Sequence, residues 1–296
     1  MKLGNRITAA GLAAITLLGL TALTSPAFAT PGPGSSVIYN SVVASPSPGN
    51  LPSVGAEAYA FNEFGNEVTF DGTNRSLTNV IVEMSSWGCV SGHWYSGDCS
   101  THGGATFSEP ITLNIYDPGT DGVHHGSLIT TVTQTFAIPY RPSASPNCTG
   151  GDNGKWWDPS LKTCFNGLAD DITFHLSGAT VPDDVVYGIS YNTSHYGPQP
   201  YGQSSACYTS SGGCGYDSLN IALSQDPTNL TVGADPHAGT VWQNSPYGSQ
   251  YCDSGTAGTG IFRLDSPTSA CWGVNSPYTA PFYVPAVQFK AGAKNG

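Results

Sequence analysis

Apolar residues of this chain alternate with polar or small ones, and this spacing limits most strongly how the chain can fold. In residues 111–116 the aliphatic side chains occupy every second position, and residues 185–191 and 219–223 show the same alternation. Side chains two positions apart lie on one face of a strand, whereas one face of a helix repeats every three to four residues. No stretch beyond residue 29 keeps a helical apolar spacing. The sequence therefore predicts a protein built from strands.

Short turn signals separate the alternating stretches. Asp71-Gly72, Asp117-Pro118-Gly119 and Ser211-Gly212-Gly213 are combinations that favour tight turns. The chain holds 37 Gly and 22 Pro in 296 residues, which predicts abundant loops. Many short strands joined by turns are typical of antiparallel sandwiches. We predict an all-β fold, an antiparallel β-sandwich or jelly-roll-like single domain with long, disulfide-stapled loops.

The first 29 residues have the three parts of a secretory signal peptide. Lys2 and Arg6 form a basic start, an apolar stretch follows, and Ala27-Phe28-Ala29 has the pattern of a cleavage site. The apolar stretch is too short to be a good membrane anchor. The sequence thus predicts a secreted, extracellular protein that is not inserted in the membrane after its signal is cleaved.

The rest of the chain divides by composition into three parts. Residues 30–50 are rich in Pro, Ser and Gly and are expected to form a lead-in with room for one edge strand. Residues 51–290 form the predicted sandwich domain, and residues 291–296 a flexible tail. The net charge of −11 repels nucleic acid, so no nucleic-acid partner is predicted.

All eight cysteines follow the predicted signal and fall into four neighbouring couples. Exported proteins meet an oxidising compartment in which cysteines form disulfides, although the sequence alone does not fix their connectivity. Each couple brackets a stretch rich in Gly, Ser or Asn, and no C-x-x-C pair indicates zinc. The predicted pairs are Cys89–Cys99, Cys148–Cys164, Cys207–Cys214 and Cys252–Cys271.

Six blocks of the sequence carry a resemblance to known proteins, namely residues 68–70, 77–87, 105–116, 128–143, 187–196 and 216–223. These blocks resemble a group of secreted, uncharacterised actinobacterial proteins over most of residues 51–290. More distantly, about half of that range is similar to the sandwich domains called choice-of-anchor domains, which occur on bacterial surface and exported proteins. The cysteine loops depart from that pattern. The resemblance implies a sandwich fold and implies neither an activity nor a catalytic residue.

Aromatic residues gather in or beside the cysteine loops. Flat rings flanked by Asn, Asp and Gln suit the stacking and hydrogen bonding of sugars, and binding sites are often built on loops. Alternatively, the rings pack over the disulfides as small satellite cores. Neighbouring side chains of an extended segment point in opposite directions, so one of Trp156 and Trp157 is expected to be exposed. The candidate ligand-binding residues are Trp87, Trp94, Tyr95, Trp156, Trp157 and Trp272, and Tyr247 also flanks the fourth loop.

No motif predicts catalytic residues. The block at 216–219 only weakly echoes one esterase motif, with His237 downstream, and is better explained as a turn before a strand. Glu67 and Glu83 are expected to face outward on adjacent strands of one sheet, where they could act as the acid pair of a glycosidase. Polar residues on a solvent-facing surface are the simpler explanation for both.

A structural calcium ion is the one cofactor that the sequence suggests. Asp117 and Asp121 belong to an acidic Asp/Gly loop, but the third carboxylate and the distal Glu of a calcium loop are missing. Ordinary Asp/Gly turn chemistry is the better explanation for the loop. His124-His125, in the same segment, is expected to lie in an exposed hairpin loop.

Three functions remain open on this reading. The first is a secreted, non-catalytic sandwich that binds glycan or a cell-envelope component through its aromatic loops. The second is a secreted polysaccharide hydrolase on a jelly-roll scaffold. The third is a structural surface protein without a small-molecule site.

Overall fold

The computed structural model describes residues 34–44, 51–94, 97–191, 219–224, 227–266 and 284–293, all within one compact unit, Gly32–Gly296. The predicted signal peptide at 1–29 lies outside them. Fifteen strands form in the described part. Its helices are one turn at Ala56–Tyr59 and three short 3-10 helices at Gly150–Asp152, Pro227–Asn229 and Gly248–Gln250. The predicted all-β fold is therefore confirmed.

Seven strands form the first antiparallel sheet. They are β1 (Ser36–Asn40), β2 (Ser53–Gly55), β4 (Ser76–Ser86), β9 (Leu168–His175), β11 (Leu219–Ser224), β14 (Val284–Pro285) and β15 (Val287–Gly292). β4 lies at the centre of the sheet, between β9 on one side and β15 and β11 on the other. β1 pairs with β15, while β2 and β14 pair with β11.

Six further strands form the second antiparallel sheet, in the order β13-β12-β3-β10-β5-β6. They are β3 (Glu63–Thr69), β5 (Thr106–Tyr116), β6 (Leu128–Pro139), β10 (Asp184–Ser190), β12 (Trp242–Asn244) and β13 (Arg263–Leu264). A separate two-stranded hairpin consists of β7 (Trp156–Asp158) and β8 (Thr163–Phe165).

The inner faces of the two sheets share one hydrophobic core, as the alternation of the sequence predicts. Val82 of β4 and Leu113 of β5 are buried in the same cluster. Phe289 of β15 bridges the sheets, because its ring centroid lies 5.4 Å from that of Tyr187 on β10. This packing of two antiparallel layers fits a β-sandwich.

The long β5–β6 connection lies against the second sheet. His124 forms a β-bridge with Arg263 of β13, and Leu264 N donates to Val123 O at 2.9 Å. The ring of His125 stacks on Tyr116 at 4.0 Å between centroids, and His125 is half-buried. The segment lies in the loop of the β5–β6 hairpin with His124 exposed, as expected, whereas His125 is half-buried rather than exposed. The loop docks because the outer face of this sheet carries its own apolar cluster, comprising Val186, Trp242, Phe262 and Leu264 with Tyr116 against it.

Two predicted disulfides are confirmed. Cys89–Cys99 and Cys148–Cys164 close loops with sequence separations of 10 and 16 residues. Cys252 is also disulfide-bonded, to a cysteine beyond the described ranges. The predicted Cys207–Cys214 pair and Cys271 lie outside the described residues, so these two predictions remain untested.

The domain reaches further at both ends than the predicted range 51–290. β1 pairs with β15 and contributes the buried residues Ile38 and Tyr39, so the lead-in supplies a genuine edge strand. At the other end β15 continues to Gly292, where it pairs with Ser76. Within the described ranges, no helix has the length and apolar character needed to cross a membrane.

Replacing Phe289 with Ala tests the shared core. Phe289 is fully buried and contacts the rings of Tyr39, Phe70 and Tyr187. Loss of a buried Phe ring leaves a cavity, so F289A should lower the free energy of unfolding by about 3–5 kcal/mol in urea denaturation. Leu161→Ala is the control, because Leu161 is 48% exposed and should cost less than about 0.5 kcal/mol. Equal losses in both variants would argue against a core joined at Phe289.

Candidate functional site

The first two disulfide loops pack together around a buried arginine. Trp87 and Trp94 meet edge to face with ring centroids 4.8 Å apart, and both are half-buried. Arg141 is fully buried and donates to Trp94 O at 3.2 Å and to Gly154 O at 2.6 Å. Burial lowers the pKa of Arg141 to about 10. The guanidinium thus ties the first loop to the second by satisfying backbone carbonyls.

The paired tryptophans of the second loop lie on β7 and point to opposite sides. Trp156 is buried, packs 5.3 Å from Phe165 between ring centroids, and donates its Nε1 to Gly167 O at 2.7 Å. Trp157 is half-buried. The two rings alternate as expected, and Trp156 belongs to a satellite core, but Trp157 is half-buried rather than exposed. Two further candidates, Tyr95 and Trp272, lie outside the described residues.

Open aromatic surface occurs instead beside the fourth cysteine loop. Tyr247 is 57% exposed, Ile261 is 39% exposed and Tyr59 is 37% exposed. These three residues, here called the tyrosine patch, belong to segments that all bond to the buried Ser245 or to its partner Tyr251. Tyr247 flanks a cysteine loop in the sequence, whereas no local sequence pattern joins Tyr59 to residues 245–261.

Ser245 fixes the backbone on which the patch stands. Its Oγ donates to Tyr59 O at 3.3 Å and accepts from Tyr247 N at 3.3 Å. Its backbone N donates to Tyr251 Oη at 2.9 Å, and Tyr251 Oη donates in turn to Ile261 O at 3.2 Å. One fully buried serine therefore orders all three segments of the patch.

Arg263 holds the same loop from beneath. Its buried guanidinium lies 4.1 Å from the centroid of the Tyr251 ring. Its Nε donates to Gly258 O at 2.8 Å, and its Nη2 lies 2.9 Å from Asp253 Oδ1. A cation held by an aromatic face, a carboxylate and a carbonyl gives the loop a rigid base. Rigid loops of this kind are frequent carriers of binding sites.

The candidate calcium ligands do not assemble into a metal site. Asp121 Oδ1 accepts from Val123 N at 2.9 Å and from His124 N at 2.8 Å, while Oδ2 lies 2.8 Å from His124 Nδ1. The bonds from His124 and Val123 hold the pKa of Asp121 well below its usual range. In the described part of the chain no three His, Cys, Asp or Glu side chains, Asp117 included, group so as to hold a metal ion.

The predicted glycosidase acids lie on different sheets. Glu67 belongs to β3 of the six-stranded sheet and Glu83 to β4 of the seven-stranded sheet, so the expectation of adjacent strands is wrong. The reason is a crossover, because β3 and β4 are consecutive in sequence but join different layers of the sandwich. Glu67 Oε2 lies 3.1 Å from His237 Nε2, and this hydrogen bond raises the pKa of His237.

Glu83 is buried rather than solvent-facing. It stands directly opposite Asp171 on β9, and among the described residues its carboxylate accepts one hydrogen bond, from Val43 N to Oε2 at 3.4 Å, while Oε1 has no partner. Burial raises the pKa of Glu83 to about 7, and the charge of Asp171 adds to the rise. Leu51 and Val43 help to cover this outer face as part of a small apolar cluster with Ala169, Ala222 and Ala286. Alternation alone did not reveal that cover.

An open groove of about 610 Å³ runs between β6 and β9, the neighbouring edges of the two sheets. Burial raises the pKa of Asp170 in its wall to about 6, with a contribution from Asp171. Asp170 and Asp171 lie on β9, and no local sequence pattern places them at a groove. The lining residues are Gln134, Thr135, Phe136, Ala137, Asp170, Asp171, Ile172, Thr173 and His175.

Comparisons with known proteins give no match. No protein-family model fits the sequence, and neither a curated protein nor a solved structure is significantly similar to it. The resemblance to choice-of-anchor domains therefore stays a prediction, and function is argued from the geometry alone.

Replacing Glu83 with Gln should stabilise the protein at high pH only. Folding raises the pKa of Glu83 from 4.5 to about 7. Between these two pH values the carboxyl ionises more readily in the unfolded chain than in the folded protein. The free energy of unfolding therefore falls as the pH rises from about 4.5 to about 7. E83Q should raise the free energy of unfolding by about 2–3 kcal/mol near pH 8 and change it little near pH 4, measured by urea denaturation.

Asp171→Asn is the matched variant for this test. It removes the facing charge that helps to raise the pKa of Glu83, so the fall in stability with pH should be smaller and should end at a lower pH than in the unmodified protein, while Glu83 stays buried. An E83Q gain that is the same at both ends of the pH range would contradict the buried, neutral carboxyl.

Proposed function

We propose that this chain is a secreted, non-catalytic β-sandwich protein that binds glycan or cell-envelope material through the tyrosine patch. The observation that carries the proposal is Tyr247, a ring 57% exposed on a loop whose backbone is locked by Ser245 and Arg263. An exposed ring on an ordered loop loses little conformational entropy when a ligand stacks on it. Exposed rings on an unordered loop would lose much more.

The surroundings of the patch favour a neutral glycan. Asn62 is exposed beside it, with its backbone N donating to Asn244 O at 2.7 Å, and Gln250 lies in the short helix that follows Tyr247. Amide side chains suit sugar hydroxyls, and phenol rings suit the C–H faces of pyranoses. Arg263 beneath the patch is fully buried, and the chain carries a net charge of −11, so anionic polymers would be repelled.

An extracellular location is supported by the disulfides and by the N-terminal pattern. Cys89–Cys99 and Cys148–Cys164 are formed, and such bonds persist in oxidising compartments. The basic start, apolar stretch and Ala27-Phe28-Ala29 give the chain the pattern of an exported protein.

The two alternative functions, a polysaccharide hydrolase and a structural surface protein, can be tested together with glycan binding. A hydrolase has lost the acid pair predicted for it, since Glu67 and Glu83 lie on different sheets. A structural surface protein requires no binding at the tyrosine patch. Both alternatives can be measured beside glycan binding.

Substitution of Tyr247 is the direct test. On a glycan array and in sedimentation with insoluble neutral polysaccharides, Tyr247→Ala should weaken binding about three- to tenfold, because one stacking ring is lost. Tyr247→Phe keeps the ring and should bind like the unmodified protein. Tyr59→Ala should weaken binding in the same direction. Leu161→Ala is the control for an exposed apolar side chain on another loop.

Three results would count against the proposal. Binding that survives both Tyr247→Ala and Tyr59→Ala would exclude the patch, and Trp157→Ala would then test the second loop. Absence of binding to every glycan would favour a structural protein. Release of reducing ends from the polysaccharides would favour the hydrolase.

A further inference from the structure

The outer edge of β9 carries backbone groups that no described strand pairs. Leu176 N donates to Thr78 O at 2.8 Å, toward β4, whereas His175 N donates in the opposite direction, to Gln134 Oε1 at 3.2 Å. Successive residues of a strand point their backbone groups to alternate sides. The N–H and C=O groups of Asp171 and Thr173 therefore point away from β4 and into the groove. Of the described strands only β4 pairs with β9.

The edge of β6 forms the other wall. Tyr140 N donates to Ala105 O at 3.0 Å, toward the β5 side, so alternation directs the backbone groups of Thr135 and Ala137 outward. The two edges belong to different sheets, and no described ladder pairs β6 with β9. β6 and β9 thus contact each other through side chains, such as Phe136 and Phe174 with ring centroids 5.0 Å apart.

The acidic residues that line the groove favour a positively charged ligand. Asp170 and Asp171 line it, and no Lys or Arg does. Asp171 also faces Glu83 across the sheet, so the region concentrates carboxyl groups without a cation among the lining residues. A second copy of this chain, with its net charge of −11, would bring more negative charge to that edge. A basic segment would instead neutralise it.

We propose that the β9 edge accepts an extended, Lys- or Arg-bearing peptide segment of a partner protein as an added strand. Its backbone would pair with the outward groups of Asp171 and Thr173, and its basic side chains on one face would lie beside Asp171, while Asp170 on the opposite face of β9 adds to the negative charge of the groove. Strand addition of this kind gains affinity from main-chain hydrogen bonds and specificity from alternate side chains. This site is separate from the tyrosine patch and does not depend on the proposed glycan binding.

The test uses a fluorescein-labelled heptapeptide in which Lys alternates with Thr and Val, with binding to the full chain measured by fluorescence anisotropy. A second probe of the same sequence carries N-methyl groups on alternate amides along one edge, and a third carries them along the opposite edge. Methylation keeps the charge but removes hydrogen-bond donors. One methylated probe should bind at least about tenfold more weakly than the parent, while the other should bind nearly as well.

Two proline variants locate the paired edge. Thr173→Pro removes an outward N–H of β9 without removing a bond to β4, so it should abolish binding while the far-ultraviolet spectrum stays that of a β protein. Thr135→Pro is the matched control on β6 and should leave binding unchanged. The double variant Asp170→Asn, Asp171→Asn should weaken binding of the Lys peptide and abolish its preference over a Glu-for-Lys counterpart.

Several results would overturn the proposal. Equal binding of the parent and both methylated probes would show simple charge attraction. If Thr135→Pro abolished binding and Thr173→Pro did not, the peptide would pair with the edge of β6 rather than with the edge of β9. Absence of binding by the Lys peptide, or its displacement by a neutral oligosaccharide, would remove the peptide site. Because Tyr247→Ala leaves the groove untouched, failure of either proposal can be told from failure of the other.

Discussion

Burial of one face of each antiparallel sheet against the other is the constraint on which every other described feature depends. The inner positions of β4, β5 and β10 supply a continuous apolar layer, and Phe289 joins it across the two sheets. Burial of apolar surface is the main favourable term in folding, and a strand can bury a face only if its neighbours present theirs in register. Some loops, such as those at 89–99, 117–127 and 148–164, contribute no residue to this core and are free to specialise.

The outer faces show how loops use that freedom. On the six-stranded sheet the β5–β6 connection covers a second apolar cluster around Trp242. On the seven-stranded sheet, the segments that contain Val43 and Leu51 cover Glu83. The sandwich therefore buries polar groups outside its core as well as apolar groups within it. One of these groups, a carboxyl with a raised pKa, makes the stability of the seven-stranded sheet sensitive to pH.

Local patterns in the sequence predicted the features that depend on neighbouring residues. Alternation gave the strands near 111–116 and 185–191, and the spacing of cysteines gave the Cys89–Cys99 and Cys148–Cys164 bonds. Features that depend on residues distant in sequence were missed. Glu67 and Glu83 were assigned to one sheet because hairpin pairing is the usual outcome for consecutive strands, whereas β3 and β4 cross between layers. The tyrosine patch depends on a bond from Ser245 to Tyr59, which no local pattern encodes.

The two confirmed disulfides link cysteines that are 10 and 16 residues apart, respectively, and both lie within loops rather than between the sheets. Side-chain packing holds the two sheets together, and these two disulfides only restrict the conformation of the loops that they close. A lineage of such proteins could replace one stapled loop with another of different length without repacking the interior. Selection for new surface contacts would then act on the loops, while selection for solubility and folding acts on the two sheets.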